Sequence, residues 1–140
     1  MYRPLIAIFL LFLFSSANGQ TYSNVEVTSV YDGDTFKVNL ACEDKLLCKY
    51  LPVRVKGIDA PEFRTKNSCE KKKAKEAKLF TRHFLAQGPV TLKKCERDKY
   101  FRLLCEVYVN DTNSLAAALL DAKLAVPYNG GKKASKDWCK

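Results

Sequence analysis

Residues 51–89 read LPVRVKGIDAPEFRTKNSCEKKKAKEAKLFTRHFLAQGP, and the change of period inside this stretch decides the fold. Leu51, Val53 and Val55 alternate as on a half-buried strand, which puts Arg54 on the opposite face. From Cys69 to Gln87 the chain turns rich in Lys, Ala, Glu and Leu, with no Gly or Pro. Ala74, Ala77, Phe80, Phe84 and Leu85 recur there at helical spacing. Ser68 is expected to cap this helix, and Gly88-Pro89 stops it. Lys71, Lys72, Lys73, Lys75 and Lys78 read as its solvated side, and His83 as a surface helix residue.

Short alternating segments flank this core on both sides. Val25 and Val27 form one set, and Phe36, Val38 and Leu40 another, with Asp32-Gly33 as a turn signal between them. Cys42 to Cys48 fits the tip of a hairpin joining the second strand to the third. Val90 to Cys95 and Leu103 to Val109 read as two more strands, joined by a turn through Asp98-Lys99-Tyr100-Phe101-Arg102. Asn113 or Ser114 caps a short helix over Leu115 to Asp121. Five short strands with one long helix between the third and fourth predict an α+β fold. The architecture is a five-stranded OB-type β-barrel with two to three helices. A β-sandwich has about seven strands and lacks so long an inserted helix.

The chain has 140 residues. Residues 1–19 are expected to be a signal peptide: Arg3 opens it, Leu5 to Phe14 is apolar, and Ser16-Ala17-Asn18-Gly19 has a small-residue cleavage pattern. The apolar run is shorter than the roughly 20 residues that span a bilayer. Residues 20–140 are then one domain with one modest core. The net charge is +9, or +8 once Arg3 leaves with the expected signal segment, and an exported chain this basic favours a polyanionic partner: nucleic acid, an anionic membrane or an acidic polysaccharide. The six cysteines all lie after residue 19, and an even number in a small exported chain argues for disulfides. Zinc is a poor alternative, with no Cys-x-x-Cys and His83 as the single histidine.

Three short pieces carry chemistry. They are Asp32-Gly33-Asp34-Thr35, the run Val53 to Glu62, and Asp98 to Arg102. They bring carboxylates (Asp34, Asp59, Glu62) that suit a hard cation and a water, and guanidiniums (Arg54, Arg102) that suit a phosphate. That inventory matches metal-assisted phosphodiester hydrolysis. An EF-hand is excluded because its Gly and Glu would be misplaced, and a single histidine cannot supply a His pair for acid–base work.

In these motifs, their order and their rough spacing, the chain resembles the staphylococcal nuclease (thermonuclease) family from about Val25 to Tyr128. Glu76 to Thr81 and Leu124-Ala125 add to the match. The resemblance implies an OB-type barrel and calcium-dependent hydrolysis of DNA and RNA that leaves a 3′-phosphate. It implies that Asp34, Asp59 and the backbone carbonyl of Ala60 hold Ca²⁺, and that Glu62 orients or deprotonates the attacking water. Arg54 and Arg102 would bind the phosphate and its transition state. Lys99, Tyr100 and Tyr128 would lie near the bound nucleotide. Such a site reads phosphate and sugar rather than base edges, so base specificity should be low and single strands preferred. A monomer without stable membrane association is expected.

The chain also departs from the family. Phe101 stands where glycine is usual, and is expected to pack rather than stack on a base. The segment between Asp34 and Arg54 looks lengthened and carries Cys42 and Cys48. The C-terminal helix looks truncated, leaving Lys132 to Lys140 with Trp138 as the expected core anchor. Cys42 and Cys48 are symmetric about Lys45, and Cys95 and Cys105 about Tyr100, which pairs each across a hairpin. Cys69–Cys139 would then tie the terminus to the start of the long helix. Two rival functions remain at this point. One is a non-catalytic nucleic-acid-binding module of the same fold, and the other a basic, disulfide-rich secreted toxin.

Overall fold

The computed structural model describes residues 19–133 and 135–140. The expected signal segment therefore lies outside the described residues, apart from Gly19. In chain order the elements are β1 (Gln20–Val30), β2 (Thr35–Asn39), α1 (Lys45–Cys48), β3 (Leu51–Val55), β4 (Ile58–Asp59) and α2 (Ser68–Leu85). They continue with β5 (Val90–Arg97), β6 (Leu103–Val109), β7 (Asn113–Ser114), α3 (Leu115–Asp121) and β8 (Val126–Pro127). The expected strands and both expected helices are present; the short helix Leu115–Asp121 and the strand Leu103–Val109 keep their expected bounds, and other ends are shifted.

Antiparallel pairing runs β3-β2-β1-β5-β6, and a parallel pairing of β3 with β6 closes the barrel. That closing register sets Val53 opposite Leu103, Arg54 opposite Leu104 and Val55 opposite Cys105. Strand β1 serves two neighbours, β2 and β5, and bends between them through irregular register at Val27/Ser29 and Tyr22/Val25. Such bulges let a sheet curl into a barrel. Phe36, Val38, Val53, Val55, Leu92, Val107 and Val109 fill the interior. Leu115 and Leu119 of α3 join the same buried cluster.

Several local expectations need correction. Asn67, not Ser68, caps α2, because its side chain accepts from the N–H groups of Cys69 and Glu70. The helix ends at Leu85 rather than Gln87. The tip between β2 and β3 is a helical turn, α1, capped by Asp44, rather than a plain hairpin loop. Strand β3 is covered on both faces, and Arg54 is only 7% exposed. Lys78 is half-buried, with its ammonium 5.7 Å from the centre of the Phe63 ring.

The three cysteine pairs are those expected from their spacing. Cα separations are 5.9 Å for Cys42–Cys48, 4.3 Å for Cys95–Cys105 and 5.5 Å for Cys69–Cys139. Trp138 is buried, but it lies outside the main apolar cluster that it was expected to anchor. His83 is exposed on α2.

Candidate active site

Helix α2 presses on the turn that carries Asp34. A Cβ at Gly33 would lie 2.8 Å from the Cβ of Ala77 and 3.0 Å from that of Ala60, so only glycine fits there. Gly33 is thus required by close approach, beyond its value as a turn residue. The Thr81 hydroxyl donates to the Gly33 carbonyl at 2.7 Å and is fully buried. The turn is closed by the N–H groups of Tyr31 and Asp32 donating to the Thr35 carbonyl. Asp34 emerges just before β2 and is 4% exposed.

Strand β3 then delivers Arg54, and the Lys56-Gly57 turn, with Gly57 at φ +85°, returns the chain for Asp59. One Arg54 guanidinium nitrogen (Nη1) lies 3.1 Å from Asp34 Oδ2, and the other (Nη2) lies 3.1 Å from Asp59 Oδ1. Nη1 also donates to the carbonyls of Val55 (3.1 Å) and Ile58 (2.9 Å). The Ala60 N–H donates to Asp34 Oδ2 at 2.6 Å. Two acids and the Ala60 backbone therefore meet around one buried guanidinium. Glu62 follows at the mouth with its carboxylate half exposed.

Asp32 is the neighbour of this group, and its carboxyl is pushed up to about 7. Burial is the main cause, followed by the negative charge of Asp34 and a side-chain hydrogen bond with it.

The second arginine comes from the β5–β6 turn. Asp98 accepts from the Arg102 Nε at 2.8 Å and from the backbone N–H groups of Tyr100 (2.8 Å) and Arg102 (3.0 Å). Burial alone would raise the Asp98 carboxyl, but these donors and the charge of Arg102 hold it below its ordinary 3.8. The guanidinium carbon of Arg102 sits 5.2 Å from the Tyr100 ring centre, and the Lys99 ammonium 5.1 Å from it.

Phe101 does not pack as expected. It is 81% exposed and adopts φ +60°, a left-handed conformation that favours glycine. The turn keeps a glycine-like shape and turns the ring outward.

These pieces face one cleft of about 1040 Å³. Asp34, Arg54, Asp59, Ala60, Glu62, Lys99, Tyr100, Arg102 and Tyr128 all line it, so every sequence-expected site residue is brought together. Lys133 also lines it and was not singled out by sequence reading. Its ammonium lies 2.9 Å from Asp59 Oδ1 and 2.6 Å from Glu62 Oε1. Burial works against its charge, but hydrogen bonds to Glu62 and Asp59 outweigh that and raise its proton affinity far above that of an ordinary lysine. No local pattern marks it, because the contact joins residues 71 positions apart.

The family model described as "Staphylococcal nuclease homologue" matches residues 52–138. The chain belongs to the staphylococcal nuclease family. Among relatives, it is 35% identical over 113 residues to Endonuclease YncB of Bacillus subtilis (strain 168), covering 79% of this chain and 50% of that protein. It is 36% identical over 97 residues to the Thermonuclease of Staphylococcus hyicus, covering 68% of this chain and 52% of that protein. The chain thus spans about half the length of the curated relatives it matches.

Proteins of this nuclease family need a metal. Here Asp34 and Asp59 flank one guanidinium, and Asp34 is bonded to the Ala60 backbone. The carboxylate oxygens of Asp34 and Asp59 are hard donors, the kind that suits Ca²⁺ or Mg²⁺. Among the described residues no group of three or more His, Cys, Asp or Glu side chains is gathered for a metal. Asp34 and Asp59 fit a hard cation by the chemistry of their carboxylate oxygens.

Proposed function

We propose that this chain is an exported, calcium-dependent, sugar-non-specific nuclease that hydrolyses phosphodiester bonds of DNA and RNA. The observation that carries this reading is the convergence of Asp34, Asp59, Glu62, Arg54 and Arg102 on one cleft. Arg54 comes from β3, Asp59 from β4 with Glu62 just after it, Asp34 from the turn before β2 and Arg102 from the β5–β6 turn. The nuclease names of both relatives and the basic charge of the chain support it.

In this reading the phosphate of a nucleic-acid strand enters between the two arginines. Arg54 is held by the bonds of Nη1 and Nη2 to its buried partners and Arg102 by the bond of Nε to Asp98, so the N–H groups left over are fixed in place. Those donors meet the phosphoryl oxygens as negative charge grows on them. Glu62, at the wet mouth, takes a proton from the attacking water as its oxygen bonds to phosphorus, while the bond from phosphorus to the leaving sugar oxygen breaks and that oxygen takes a proton from solvent. Asp34, Asp59 and the Ala60 carbonyl would hold a divalent cation, which would supply Lewis-acid polarisation of the phosphoryl group. Lys99, Tyr100 and Tyr128 line the path of the flanking nucleotide. An open cleft that contacts backbone and splays a base favours single strands over duplex.

The protein is expected to act as a monomer after removal of Met1–Gly19. Among the described residues no helix is long and apolar enough to cross a membrane.

The test is cleavage of labelled single-stranded DNA, RNA and duplex DNA by the oxidised protein, with Ca²⁺ and with chelator. Calcium-dependent cutting of both single strands, faster than of duplex, is expected. Binding without cutting under Ca²⁺, Mg²⁺ and Mn²⁺ would overturn the reading in favour of a non-catalytic binding module.

A further inference from the structure

Lys133 is delivered to the acids by a C-terminal segment that is fixed at both ends. Before it, the Tyr128 N–H donates to the Gly57 carbonyl at 3.0 Å, and the Tyr128 hydroxyl donates to the Gly131 carbonyl at 2.7 Å. After it, Trp138 is buried and Cys139 is bonded to Cys69 at the start of α2. The lysine side chain, 46% exposed, reaches from this segment to Asp59 and Glu62 at once. Its ammonium is the side-chain partner of the Glu62 carboxylate.

An ammonium and a hard divalent cation make the same demand on a carboxylate oxygen, and they repel each other when they share it. Asp59 is claimed from both sides: Arg54 takes Oδ1 from the buried side, and Lys133 takes the same oxygen from the solvent side. Arg54 is held in place by two backbone carbonyls as well. Among the described residues Lys133 has no such further anchor for its ammonium, and it sits on the half-exposed side, so it is the cation that can leave.

We propose that Lys133 is a resident counter-cation of this site. It neutralises Asp59 and Glu62 in the metal-free protein, competes with the divalent cation for Asp59, and so lowers the affinity of the site for that cation. Its displacement also releases Glu62 from its partner, which couples freeing of the base to loading of the site. This inference rests on the reading under "Proposed function".

The test is calorimetric titration of the oxidised protein with Ca²⁺, for wild type, Lys133→Met, Lys133→Gln, Lys133→Arg and Asp34→Asn. Half-exposed ion pairs are each worth little, so removing both Lys133 pairs is expected to tighten Ca²⁺ binding roughly three- to tenfold. Lys133→Met and Lys133→Gln should agree in this, Lys133→Arg should stay near wild type, and Asp34→Asn should abolish binding. Thermal unfolding gives an independent readout: the Ca²⁺-induced rise in Tm should be larger for Lys133→Met than for wild type. Equal or weaker binding by both neutral variants, with Asp34→Asn still abolishing it, would overturn the inference and leave the nuclease reading standing. Failure of wild type and both neutral variants to bind Ca²⁺ would overturn both.

Discussion

Arg54 holds two positions at once, as the buried counter-charge of Asp34 and Asp59 and as a donor facing the cleft. Arg54→Ala would leave two acids short of their cation, and breaking a buried pair this way costs about 3–5 kcal/mol. Arg54→Lys keeps the charge but not the fork. It is expected to unfold at a urea concentration nearer wild type than Arg54→Ala does, while its cleavage rate falls by at least about 10³-fold, the scale of a transition-state arginine. Paired chemical-denaturation and cleavage assays check both halves. Asp98 offers a pH test. Its carboxyl is held below its ordinary 3.8, so the stability it contributes is present above that value and is lost as pH falls through the lowered one. The Tm difference between wild type and Asp98→Asn should therefore shrink as pH is lowered below about 4; a difference that stayed constant or grew would oppose the assignment. Residues of this kind were legible in the sequence because each motif is local: Asp98 and Arg102 are four apart and share one turn. Lys133 was not, because the lysine-containing tail gives no sign of which ammonium reaches the acids. Phe101 was misread because hydrophobicity argues for packing, whereas a tight turn decides where its side chain points.

At the scale of elements, the site depends on how α2 seats against the Asp32–Thr35 turn. Gly33, Ala77 and Ala60 are small because these segments touch. Gly33→Ala would force a shift and is expected to cost about 1–3 kcal/mol, typical of overpacking. It should also slow cleavage, since Asp34 moves with the turn. Thermal melts with a parallel rate measurement would show it, and a variant with unchanged Tm and rate would refute the seating. The long strands and α2 could be read from periodicity alone. Their boundaries could not: Asn67 rather than Ser68 caps α2 because its amide oxygen reaches both free N–H groups. The two-residue strands β4, β7 and β8 have no pattern of their own and exist only because a tertiary neighbour pairs with them. Burial of β3 on both faces likewise escaped the alternation rule, because an arginine at the barrel's lip is buried by its ion pairs rather than by apolar contact.

For the whole molecule, a small barrel is closed by β3–β6 pairing and stapled by three disulfides. Their contributions should differ with the loop each closes. Cys69–Cys139 joins residues 70 apart and Cys42–Cys48 residues 6 apart. Chain entropy assigns the first about 4 kcal/mol and the second about 2 kcal/mol. Urea unfolding of the two double Cys→Ser variants is expected to rank them in that order. The long-loop variant should also lose control of the segment that carries Lys133. This architecture was readable in advance from the strand count, the inserted helix and the cysteine spacing. How the C-terminal segment crosses the acids was not, since long-range closure leaves no periodic trace.

The account stands on Glu62 acting as the base in a cleft whose other parts only bind and polarise. The most direct measurement is single-turnover cleavage of a labelled single-stranded DNA by the oxidised protein and by a folded Glu62→Gln variant, each with saturating Ca²⁺. A fall of about 10²–10⁴-fold in the rate, with DNA affinity kept close to wild type, is the predicted result for a positioned general base. Equal rates in the two proteins would contradict it.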